Sequence, residues 1–163
     1  MKKLIVYHFN NGVTLRDGRP LPSIGQVLTH DGPVIPCSSG LHGSEHPFDA
    51  LQYALGGTLD KCELWGEIKS HGDPVDKVVG ANRVVLKRIC ANKILLDFAR
   101  WNCLELERMG IIKYTGIVKK WLNTGDEAIR NAAWVAAWVA ARDAFIKKSR
   151  AKFLEMVEQE FAK

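Results

Sequence analysis

Two histidines and two glycines crowd into SSGLHGSEHPFDALQYA, residues 38–54, just where a helix is due to begin. Gly40 and Gly43 lack a Cβ, so a ligand can approach the backbone closely there. His42, between Leu41 and Gly43, can give or take a hydrogen bond near neutral pH. The first amides of a helix point outward without partners and favour anions, so Ser44 and its neighbours sit where a charged ligand is readily held. His46, next to Pro47, reads as local structure instead. Tyr53 lies eleven residues past His42 and is expected about two turns into the helix, with a ring available for stacking. A further histidine, His8, closes the first strand candidate. Each of these residues taken singly is more often structural than functional, and only their combination points to a site.

Metal chemistry is not expected. Cys37, Cys62, Cys90 and Cys103 are spaced too widely for a zinc or redox pair, and they read as free thiols. Cys37, His42 and His46 lack a clear fourth ligand.

The elements that must position these residues fall into two regions. LIVYHF (4–9), GQVLTH, GPVIPC, CELWGEI (62–68) and RVVLKRI (83–89) read as strands, with KSHGDPVDK as a loop between the last two. PFDALQYAL supplies one helix, started by Pro47 and stopped by GGT. From residue 91 the periodicity becomes helical: ILLDFARWNCLELER (94–108), GIVKKWL (116–122), then a capping-box form at Thr124 and Glu127. Beyond it runs AIRNAAWVAAWVAARDAFIKKSRAKFLEMVEQEFA, without Pro or Gly, which unbroken would be about 50 Å long. Its Trp134, Trp138 and Phe145 read as a face that docks on neighbouring helices or on a second copy of the chain. The class is therefore α+β: a β-rich region over residues 1–90 and a helical region over 91–163.

At 163 residues the chain can bury a real core. No apolar run approaches the ~20 residues of a membrane span, and MKKLIVYHF is too short in its apolar part for a signal peptide. No membrane partner is expected, and the expected compartment is the cytoplasm. The net charge of +5 is uneven: residues 86–163 carry fifteen Lys/Arg against nine Asp/Glu, and residues 1–85 carry eight against nine. KKSRAK (147–152) could meet phosphates, but basic residues on helices are usually just solvated, so nucleic acid is not the expected partner.

The combined pattern resembles the ADP-ribosyltransferase superfamily in its diphtheria-toxin and poly-ADP-ribosyl branch. YHF places His8 where that branch keeps a strand-end histidine. GLHGS (40–44) matches its Gly-aliphatic-Tyr-Phe stretch, Ala50 and Tyr53 its small residue and nicotinamide-stacking tyrosine, and CELWGEI its following strand. The stretch G-L-H-x-S-x-x-P-x-D-A is also similar to one in phage and prophage proteins of unknown function, some with an Ala/Trp/Arg-rich helical tail. The resemblance covers roughly residues 4–68. It implies an ADP-ribosyltransferase-like mixed β core followed by an all-helical C-terminal half. It also implies a ligand site of His8, Gly40, Leu41, His42, Ser44 and Tyr53 for NAD or an ADP-ribose-type nucleotide, with no resident cofactor. His42 and Gly43 replace a tyrosine and a phenylalanine, and DKVVGANRVVLKRI (76–89) has no glutamate where the family keeps its catalytic one. Glu67 has no spacing that marks it as a substitute. A pocket without that glutamate can keep ground-state binding while losing stabilisation of the transition state.

The first expectation is thus a phage-type binding protein, anti-defence in role, that sequesters an NAD-derived immune signalling nucleotide in the host cytoplasm. The alternatives are an active ADP-ribosyltransferase or NAD glycohydrolase, and an inhibitor that binds a host protein or nucleic acid through its basic helices. Homo-oligomers through the C-terminal helices are a further expectation.

Overall fold

Alternation in the first strand sends Leu4, Val6, His8 and Asn10 to one face of a sheet and Ile5, Tyr7 and Phe9 to the other. The computed structural model, which describes residues 2–126 and 146–163, is organised around that division. Strand β1 (Lys3–Asn10) pairs with β4 (Thr58–His71), and β4 with β5 (Lys77–Cys90). Two short strands, β2 (Val27–Thr29) and β3 (Leu41–Gly43), pair with successive stretches of β5. Helix α1 (Pro47–Leu51) lies between β3 and β4 in the chain. The helices α2 (Asn92–Arg108), α3 (Gly116–Thr124) and α4 (Ile146–Phe161) follow.

The sheet corrects the expected core. Its five strands pair antiparallel throughout, in the order β1-β4-β5-β2 with β3 also on β5, so the β core is not mixed. The neighbours β4 and β5 are joined by residues 72–76, far too few for the crossover a parallel pair needs. The C-terminal half is not all-helical either, because β5 runs on to Cys90. The class remains α+β.

Two compact units result. One comprises Met1–Asn92 with Leu154–Lys163, and the other Lys93–Phe153. In the first, the sheet curls until the residue after β3 meets β1: Tyr7 N–H donates to the Ser44 carbonyl at 2.7 Å, and Ser44 N–H to the Tyr7 carbonyl at 3.0 Å. Val6, Leu41, Cys62, Leu64, Val78 and Val85 form the apolar core of this curl, with Leu4 packed against it. The other face of β1 holds the end of α4. There Tyr7, Lys61 and Lys87, cross-strand neighbours on β1, β4 and β5, reach the helix together. The Tyr7 hydroxyl donates to Glu158, Lys61 pairs with Glu158 at 2.9 Å, and Lys87 donates to the Phe161 carbonyl at 2.6 Å.

In the second unit Cys103, Tyr114, Val118, Trp121 and Leu122 pack between α2 and α3. Several of its basic residues are already engaged: Lys119 with Glu107, and both Arg108 and Lys148 with Glu105. Gly125, at φ 69°, closes α3 in the left-handed conformation that glycine adopts without strain. Thr124 Oγ1 donates to the Lys120 carbonyl at 2.9 Å, and so serves the end of α3. Glu127, Trp134, Trp138 and Phe145 lie outside the described residues, as does the first half of the expected long helix.

Three local expectations change. KSHGDPVDK is a loop only over residues 72–76, because Lys69–His71 extend β4 and Lys77 opens β5. GPVIPC is not a strand: Pro33 and Pro36 lack donors, and Cys37 sits at φ 64° in a turn closed by an isolated Ile35–Ser39 bridge. The helix from Pro47 is shorter than expected, so Tyr53 stands just past its end. There Tyr53 N–H bonds back to the Ala50 carbonyl at 3.1 Å, while the Gln52 and Tyr53 side chains both bind Asp76.

Candidate functional site

The polar end of the inner face begins where β1 changes character. Leu4 and Val6 lie opposite Leu64 and Cys62, whereas His8 lies opposite Asp60. His8 gains no carboxylate from this pairing. Both Asp60 oxygens are occupied: Arg88 donates to them at 2.6 and 2.8 Å, and Asn10 adds a bond at 3.1 Å. His8 Nδ1 is buried without a hydrogen-bond partner. Burial, and then the positive charge of Arg83 together with His42, Arg16 and Arg88, hold the His8 imidazole well below its ordinary pKa.

His42 is fixed by the pairing of β3 with Val79 of β5. Its Nε2 is also buried and unpartnered. Burial lowers its pKa too, followed by Lys77 and Arg83, while a bond to the Gly40 backbone works the other way. Arg83, 3% exposed, donates to the His42 carbonyl at 2.5 Å, and its Nε has no partner.

These residues border one cleft of about 440 Å³, within the range of small-molecule sites. His8, Gly40, Leu41, His42, Ser44 and Tyr53 all line it, and Ala50 does as well. The charged lining is Arg16, Arg19, Lys77 and Arg83 against Asp17, which Arg19 already holds at 2.7 Å. Glu67 is not in the cleft; it lies on β4 and pairs with Lys69 at 2.9 Å.

The roles of the neighbouring residues separate. A Cβ on Gly40 would stand 2.6 Å from Val79 Cγ2, and one on Gly43 would stand 2.6 Å from Val6 Cγ2. Both glycines therefore serve the packing of β3 on the sheet, in addition to bordering the cleft. His46 caps α1, its Nδ1 accepting from Phe48 N–H at 3.1 Å. Tyr53 donates to Asp76 at 2.6 Å, and the Lys77 ammonium lies 4.2 Å from its ring centre, covering one face. Burial and then Asp76 push the Tyr53 hydroxyl up to about 12.

A family described as a domain of unknown function, DUF7666, matches residues 5–97. The chain belongs to the DUF7666 family. The DUF7666 match runs from β1 into α2 and includes every residue lining the cleft. No curated protein and no solved structure matches the chain.

The sequence signals missed the cations. Arg83 was legible in principle, because it falls in phase with buried Val85, where an apolar residue belongs. Arg16 and Arg19 sit in an irregular loop whose path no periodicity reveals. Among the described residues no group of His, Cys, Asp and Glu could hold a metal ion, and no helix is long and apolar enough to cross a membrane.

Proposed function

We propose that the cleft binds a phosphorylated nucleotide of the NAD or ADP-ribose type and holds it without turnover. The observation that carries this reading is the lining of the cleft: six residues singled out by the nucleotide-site resemblance border one cavity whose charges are four cations and one paired carboxylate. A cavity of this charge selects anionic ligands, and buried cations act more strongly there than in bulk water. The likeness to ADP-ribosyltransferases is proposed for this pocket alone. In a phage setting, tight binding without turnover would withdraw an immune signalling nucleotide from its receptor.

Isothermal calorimetry against NAD, ADP-ribose and cyclic ADP-ribose tests the reading. At least one is expected to bind with unit stoichiometry, and no heat from any of them at high micromolar protein overturns it. Release of nicotinamide from NAD would overturn the claim of no turnover and make the protein a transferase or glycohydrolase.

A further inference from the structure

We propose that Arg83, His8 and His42 build an inner subsite for a phosphoryl group within this cleft. The inference rests on the reading of the cleft as a nucleotide site, and it specifies which part of the ligand goes deepest.

The argument starts from charge. Asp60 and Arg88 neutralise each other in a two-bond pair, which leaves Arg83 as a buried cation without a carboxylate of its own. An uncompensated buried charge is costly, so the folded protein carries a standing preference for an anion beside it. Hydrogen bonding points the same way. Arg83 Nε, His8 Nδ1 and His42 Nε2 are three buried nitrogens without partners, contributed by β5, β1 and β3 to the lining of one cavity. Buried polar atoms are nearly always satisfied, and three unsatisfied ones on one cleft mark the place of a hydrogen-bonding ligand. A phosphoryl group offers several acceptor oxygens and can take bonds from a guanidinium and from two imidazoles.

Binding there is coupled to protons. The groups that face the imidazoles are mostly cationic: Arg83, Arg88 and Lys77 from β5 and Arg16 from the loop after β1. Asp60 of β4 is the opposing carboxylate, and Arg88 and Asn10 occupy it. The mouth adds the Asp17–Arg19 pair, and Tyr53, whose hydroxyl stays protonated on Asp76. Without ligand these surroundings disfavour the charged form of both imidazoles. An anion placed beside them favours the charged form, and an imidazole then takes up a proton.

Sulfate is the probe, because its charge is constant between pH 5 and 8 and it carries no nucleoside. The imidazole nitrogens of the intact chain are followed by NMR during sulfate titrations at pH 8, 7 and 6, with chloride at matched ionic strength as control. The expected result is saturable movement of the His8 and His42 signals toward the protonated form. Affinity should rise toward tenfold per pH unit, the limit for uptake of one proton. His8→Asn should reduce that pH dependence, and adding His42→Asn should remove it while leaving weak binding through Arg83. Signals that move no more with sulfate than with chloride overturn the subsite, as does binding without pH dependence. ADP-ribose binding with unmoved imidazoles overturns the subsite and leaves the nucleotide cleft standing. Sulfate binding with no nucleotide binding does the reverse.

Discussion

His8 and His42 put an acid sensitivity into the free protein. Both have folded pKa values below the unfolded value, for which burial is the leading cause. The unfolded chain therefore binds more protons than the folded one once the pH drops below about 6.5, and stability falls with pH from there down toward the folded values. Thermal unfolding without ligand is expected to show a falling midpoint between pH 7 and 5. His8→Asn should flatten that slope even if it lowers the midpoint at pH 7. An unchanged slope would mean that the His8 imidazole is solvated in the folded protein. Tyr53 provides a second check at the same scale. Its hydroxyl, at about 12, should stay protonated at pH 10.5 by ultraviolet absorbance, and Asp76→Asn should bring the titration down toward the ordinary tyrosine value.

At the scale of elements, β3 is the strand on which the site depends most, and it has only three residues. It can lie close to β1 and β5 because Gly43 meets Val6 where a side chain would not fit. Gly43→Ala should destabilise the protein by about 1–3 kcal/mol in urea titrations, the usual cost of overpacking a core. Pairing it with Val6→Ala should recover part of that loss, so that the two changes together cost less than their sum. Strictly additive losses would place the strain elsewhere. This strand also marks the limit of what the sequence shows. The alternation of β1, the hairpin strands and the start of α1 at Pro47 are local signals, and a reader of the sequence finds them. The docking of β3 on β5 is a pairing between residues 41–43 and 78–80 that no local pattern encodes. The early end of α1 escapes for the same reason, because Asp76, twenty-three residues further on, holds Tyr53.

For the molecule as a whole, residues 154–163 belong with the sheet. A deletion of residues 124–163 meant to remove only helices would also strip Glu158 and Phe161 from Tyr7, Lys61 and Lys87. Phe161, 4% exposed and 6.4 Å from the Tyr7 ring, tests this more gently. Phe161→Ala should cost about 3 kcal/mol in urea unfolding of the intact chain, the lower end for a buried aromatic. A loss within a few tenths of a kcal/mol of zero would show that the helix end contributes nothing to the sheet.

Strand β1 serves two masters through its alternation: Tyr7 faces the helix, and His8 faces the cleft. Because the two are adjacent, inserting one residue between Leu4 and Tyr7, or deleting Ile5 or Val6, would exchange their sides. Such a frame change would break the helix clasp and take His8 out of the cleft in a single event. A substitution in this strand alters one face at a time, whereas a change in its length alters both together.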